Sequence, residues 1–193
     1  MPEFLFLFFY RSVSGVQNAF GYAKSHAMRA ITGVVLAFLA FMPLGYLSPA
    51  AWRPGVITAC ILAVAGAAGV EFSFNRQLKF LPRDIHLYET VTTGMATIAW
   101  LLAGGNLVLI AASVYPAMIL HKMAINLGAG LPLLSDKTDD PAGRYFTIPI
   151  LRIRIPRLGF AVRIPLAVVS LGLAWAAWRY GWQVTVFPFK IHF

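Results

Sequence analysis

TVTTGMATIAWLLAGGNLVLIAASVYPAMIL, residues 90–120, is the stretch on which the topology turns. One ordinary membrane crossing takes about 20 apolar residues at about 1.5 Å each. This stretch is longer, and Gly104-Gly105-Asn106 interrupts it near its middle. It reads either as one long tilted helix or as a hairpin of two short helices turning at the Gly-Gly-Asn. Basic residues choose between the two, because they gather on the cytoplasmic side of a membrane protein. Arg11, Lys24 and Arg29 precede the first apolar stretch, Arg53 alone separates the first from the second, and Arg76, Lys79 and Arg83 follow the second. That alternation places the N-terminus in the cytoplasm. A single crossing through 90–120 would strand Lys122, Lys137, Arg144, Arg152, Arg154, Arg157 and Arg163 outside, whereas a hairpin keeps them inside. The hairpin is therefore expected, with arms near 90–103 and 107–123. Both arms are short for full crossings, so they thin the bilayer or re-enter it behind a screen of protein.

Working outward, 30–47 and 55–74 read as the first two spans, and 165–182 as the last. The second is rich in small residues (Ala63, Ala65, Gly66, Ala67, Ala68, Gly69), which let helices approach closely in lipid. It is expected to be the most enclosed span. Trp175, Trp178, Tyr180 and Trp182 supply an interfacial aromatic belt at the end of the last one. The fold class is an all-α polytopic membrane protein of about five membrane segments, including the short helical hairpin. It forms a single membrane domain over 1–193: an interfacial N-terminal arm (1–29), four membrane segments (30–123), a cytoplasmic loop (124–163) and the last span (164–183). The arm opens on a phenylalanine-rich run but has Glu3 and no basic residue ahead of it, so it does not read as a signal peptide. It is expected to lie in the headgroup boundary or against another subunit.

Composition agrees with lipid as the solvent. Hydrophobic residues make up 59% and charged residues 12% of the chain, and mean hydropathy is +0.72. The net charge of +9 would suggest nucleic acid in a soluble protein. Here the basic residues flank apolar stretches, where they meet anionic lipid, and nucleic acid is not expected as a partner. A lone cysteine, Cys60, carries no information on redox compartment.

Within the loop, Leu151, Ile153 and Ile155 alternate with Arg152 and Arg154 between Pro149 and Pro156, the period of an edge strand. A turn at Leu158-Gly159 would pair it with 160–164 as a small β-hairpin. Lys122, Arg152, Arg154, Arg157 and Arg163 are then lipid-headgroup contacts.

Most remaining polar residues fall on the cytoplasmic side. Glu71 ends an apolar helix, with Asn75 and Arg76 four and five residues on. A carboxylate at the edge of a span either pairs with a nearby base or serves a substrate. Glu71, Asn75, Arg76 and Asn106 are the candidates for a substrate or ion route. His86, Glu89 and His121 are the candidates for acid–base catalysis, since a hairpin would bring their ends together. No spacing matches a metal motif, the histidines sit too near the boundaries for haem, and neither a nucleophile elbow nor a phosphate-binding glycine loop occurs. Asp139-Asp140-Pro141 reads as a solvated turn. No metal or cofactor is expected.

Three functions fit. The first is a non-catalytic integral membrane subunit of a larger assembly (secretion, conjugation or energy transduction), with the bilayer and other membrane subunits or itself as partners. The second is a small-solute transporter or channel component, and the third an interfacial enzyme acting on lipid headgroups. The setting expected is a bacterial inner membrane with the N-terminus cytoplasmic, and catalysis is not the leading expectation.

Overall fold

A computed structural model describes residues 1–47, 49, 52–74, 85–136, 145–148, 153–156 and 159–184, with the backbone alone at 74, 86, 145–148 and 153–156. The chain is helical: α1 (Pro2–Tyr22), α2 (His26–Ala40), α3 (Met42–Gly45), α4 (Pro54–Phe74), α5 (Ile85–Leu102), α6 (Leu107–Gly128) and α7 (Phe160–Tyr180). Four helical stretches are long and apolar enough to cross a membrane: His26–Gly45, Pro54–Ser73, Leu107–Gly128 and Phe160–Tyr180. This is an integral membrane protein of the multi-pass kind. Its outward faces agree, since Phe38, Ile61, Val168 and Trp175 are exposed in the isolated chain and need lipid or another protein to cover them.

The expected interfacial arm is not an arm. Pro2–Tyr22 is a helix packed lengthwise along α6 and against α2 and α5. Pro2 sits where a helix tolerates a missing N–H, and Glu3 lies in the first turn, where a carboxylate suits the helix dipole. Phe4, Phe6, Leu7 and Tyr10 are buried, with Phe6 stacked on Tyr10 at 5.3 Å and tilted against Trp100 at 5.5 Å. Gly15 allows the close approach to α6, since a Cβ there would stand 2.7 Å from His121 Cα. Gly128 meets the Ala19 backbone in the same way. The phenylalanine run followed by Arg11 reads as peripheral. In the bundle Gln17 and Asn18 are buried and Arg11 reaches Thr93.

Glu3 meets Asn106, Arg11 meets Thr93 and Gln17 meets Ala67, so α1 runs parallel to α6 and antiparallel to α5. Met1 therefore lies at the end of the bundle that holds Asn106 and Trp182, opposite the end that holds Lys24 and Arg29. The 21 residues of α1 cover about 32 Å at 1.5 Å each.

Helix α4 is the most enclosed of the four apolar stretches, as its small residues imply. A Cβ at Gly66 would stand 2.7 Å from the Thr92 amide nitrogen, and Gly69 lies under the Tyr88 ring. These two glycines bring α5 against α4, where backbone proximity replaces the hydrophobic drive that lipid removes.

The 90–120 stretch does break at Gly104-Gly105-Asn106, with Gly104 in the left-handed region at φ 86°. Its arms are not short, however: α5 has 18 residues and α6 has 22. Beyond the turn the two backbones stay apart, α5 packing on α4 and α6 packing on α1 and α7. The period-two stretch pairs as a strand, Ile153–Pro156, but its antiparallel partner is Tyr145–Ile148. Phe160 onward is helix and not the returning strand, because Asp136 accepts the Phe160 N–H at 2.9 Å and caps the start of α7.

Candidate functional site

Among the described residues the bundle interior holds polar side chains beside its apolar clusters. Ser14, Gln17 and Asn18 from α1, Thr92 and Thr93 from α5, and Ser113 and Asn126 from α6 are all buried. Most of these groups fasten helices. Asn106 caps α6 by accepting the Val108 N–H at 3.1 Å, and its amide donates to the Trp182 carbonyl at 2.6 Å. Its own N–H donates to Glu3 Oε1 at 2.9 Å. Asn126 donates to the carbonyls of Leu133 and Ser135, each at 2.9 Å, and so fixes the segment after α6.

One place is different. Between the separated α5 and α6, with α1 as its back wall, lies a cleft of about 320 Å³. Next to Thr90 of its lining, Glu89 of α5 and His121 of α6 meet across the gap at 2.5 Å. Arg11, midway along α1, ties this frame together: its Nη1 donates to Thr93 Oγ1 at 3.1 Å and its carbonyl lies 3.1 Å from His121 Nδ1. Thr93, Thr97 and Ser113 face the cleft with hydroxyls that already donate to backbone carbonyls of their own helices, leaving lone pairs. Leu7, Ile110 and Ala117 make the rest of the wall apolar. Among the described residues, two buried donor atoms on this wall have no hydrogen-bond partner: Arg11 Nε and Tyr10 Oη. A charged side chain packed between helices is costly and is kept where it pairs or binds.

The sequence candidates divide accordingly. Glu89 and His121 are brought together as the meeting of helix ends implied. His86 starts α5, and its side chain lies outside the described residues, as do Asn75, Arg76, Arg152 and Arg157 entirely. Arg154 is placed only as a backbone position opposite Thr147. Glu71 is held by Arg29, and Asn106 sits at the opposite end of the bundle as a helix cap, so the two do not line one route. Lys122 is half-buried beside His121, and Arg163, expected at a lipid headgroup, is buried on α7. Arg11 was counted only as a flanking charge. The available signal was the spacing of Arg11, Ser14 and Asn18, which fall on one helical face three and four residues apart. Among the described residues no three His, Cys, Asp or Glu side chains stand close enough to hold a metal ion. No family model, no curated protein and no solved structure matches this chain.

Proposed function

We propose that this chain is a small-solute transport component of a membrane, acting alone or as the solute-binding member of a larger assembly. The observation that carries this reading is the cleft at mid-bundle, where the buried atoms Arg11 Nε and Tyr10 Oη are donors without a partner among the described residues. Membrane carriers hold their solutes near the midplane in polar pockets between helices. The long arms of the α5–α6 hairpin favour two full crossings, and α1 has the length of a sixth. The setting is a bacterial inner membrane with Lys24, Lys122 and the basic loop positions toward the cytoplasm. On that reading Met1 faces the other side, which replaces the cytoplasmic N-terminus inferred from charge counting. Reconstituted in liposomes and offered labelled amino acids, monocarboxylates and phosphate, the protein is expected to move at least one of them and to lose that flux in Arg11→Gln. Equal flux in the folded variant would remove the reading.

A second reading, a non-catalytic subunit of a membrane assembly, is favoured by α7. That helix packs chiefly on α6 and leaves Val168, Val169, Leu171 and Trp175 uncovered, with open space around Gly172. Extraction in mild detergent with a partner held at fixed stoichiometry, lost on Gly172→Leu, would support it. A homogeneous lone particle would sink it.

A further inference from the structure

Resting on the reading of the cleft as a solute site, we propose that its solute is a zwitterionic amino acid with an apolar side chain. The carboxylate lies on Arg11, the ammonium on hydroxyl oxygens of α5 and α6, and the side chain on the apolar wall.

Arg11 supplies the positive charge. A guanidinium carries five N–H donors and no acceptor, in a fork that matches a carboxylate. Here Nη1 donates to Thr93 Oγ1 at 3.1 Å, and Nε has no partner among the described residues. Thr93 is a neutral acceptor and leaves the charge uncancelled. Glu89 lies within electrostatic reach, but among the described residues no carboxylate forms an ion pair with Arg11. A carboxylate brought by the solute supplies that partner.

The hydroxyls supply acceptors. Thr97 Oγ1 donates to the Thr93 carbonyl at 2.8 Å, and Ser113 Oγ donates to the Ile110 carbonyl at 2.7 Å. Each hydroxyl has a single hydrogen, so what remains for a solute is lone pairs. Both residues line the cleft, Thr97 from α5 and Ser113 from α6. A solute that is only a carboxylate has no hydrogen to offer them, whereas an ammonium donates three. The spacing suits an α-amino acid. Thr93, bonded to the guanidinium, and Thr97 are four residues apart on α5, about 6 Å along the helix. Hydrogen bonds of about 2.9 Å at either end leave room for charges borne on adjacent carbons and not for a longer chain between them.

Leu7, Ile110, Val114 and Ala117 make the remaining wall, which suits a hydrocarbon side chain. The volume of about 320 Å³ lies at the small end of ligand sites, about 300–1,000 Å³. It fits one amino acid and not a phospholipid.

The test measures binding to the full chain in nanodiscs with leucine and two analogues that each lack one charge: 4-methylpentanoate, without the ammonium, and 3-methylbutylamine, without the carboxylate. Saturable leucine binding at least about tenfold tighter than either analogue is expected, because each missing charge removes charge-assisted hydrogen bonds. Thr97→Val and Ser113→Ala remove the acceptor oxygens and are each expected to weaken leucine about tenfold and to narrow its lead over 4-methylpentanoate. Thr97→Ser keeps the oxygen and should keep that lead. Should the variants not fold, the ranking of the three probes on the wild type decides. Either analogue binding as tightly as leucine would overturn the inference and leave the solute reading standing, with a simple carboxylate or amine as the solute. Failure of leucine to saturate overturns it as well, while the solute reading is judged separately by flux and its loss in Arg11→Gln.

Discussion

Arg29 and Glu71 meet in a two-pronged ion pair between α2 and α4, Nε to Oε2 at 2.6 Å and Nη2 to Oε1 at 2.7 Å. The guanidinium is buried at 2% exposure, while the carboxylate is 32% exposed. Glu71→Gln would leave a buried charge with weaker acceptors. Charge-assisted hydrogen bonds contribute about 1.5–3 kcal/mol, and the half-open carboxylate places this one near about 2 kcal/mol. A fall in the thermal midpoint in detergent is expected, with flux per folded molecule unchanged, because Glu71 fastens helices and does not line the cleft. The double variant Arg29→Met with Glu71→Leu should regain most of the loss, since apolar residues replace such pairs well. A Glu71→Gln protein melting with the wild type would show the pair to be a bystander.

Gly15 and Gly128 set the distance between α1 and α6. A methyl at Gly15 would stand 2.7 Å from His121 Cα and 2.9 Å from its carbonyl oxygen, both backbone atoms that cannot swing aside. Gly15→Ala is therefore expected to cost about 1–3 kcal/mol by overpacking and to displace His121 from Glu89. Gly172→Ala is the control: it meets nothing within 4 Å on α7 and should gain up to about 1 kcal/mol from helix propensity. Thermal midpoints of the two variants moving in the same direction would contradict this packing.

Asn106 holds three segments at one end of the bundle: the start of α6, Glu3 of α1, and the stretch after α7, where Val184 also donates to its side chain at 3.3 Å. Asn106→Ala removes a helix cap at a cost of about 1–2 kcal/mol and releases the 182–184 segment. Hydrogen exchange should rise at 182–184 and at the first turn of α6, with the α4–α5 contact unaffected. Protection unchanged at Val184 would mean that the Leu107 N–H donating to its carbonyl at 2.7 Å suffices alone.

How much of this was legible follows from what lipid demands of a sequence. The spans at 30–47, 55–74 and 165–182 could be read because continuous apolar runs have no other stable use. The turn at Gly104-Gly105-Asn106 carries its own chemistry. Arg11 could not be read as a site residue, because its meaning depends on Thr93 and His121, remote in sequence and brought near only when α1 packs beside α6. A run with Glu3, Arg11 and Gln17 looks peripheral to any hydropathy reading, and only the tertiary fold shows Glu3 meeting Asn106, Arg11 meeting Thr93 and Gln17 meeting the Ala67 carbonyl. The separation of α5 from α6 was hidden for the same reason: a hairpin implies contact, and the glycines of α4 instead draw α5 away from α6.

The direction of α1 gives the sharpest test of orientation. Lys24 and Leu133 lie at one end of the bundle, while Met1 and Trp182 lie at the other, because Glu3 bonds Asn106 and Asn106 bonds the Trp182 carbonyl. If α1 lay flat in the interface, Met1 and Lys24 would share a side. In a Cys60→Ala background, where the buried native thiol is gone, single cysteines at Lys24 and Leu133 are expected to react with an impermeant maleimide from the cytoplasmic side only. Cysteines at Pro2 and Trp182 should react only from the opposite side. The basic loop sets the sign of the result, since positive charge is retained in the cytoplasm. Labelling of positions 2 and 24 from one side would overturn α1 as a crossing helix and remove the mid-membrane depth on which the Arg11 site depends. Labelling from opposite sides, with the basic end outside, would keep the fold and the cleft but reverse the face from which a solute is released.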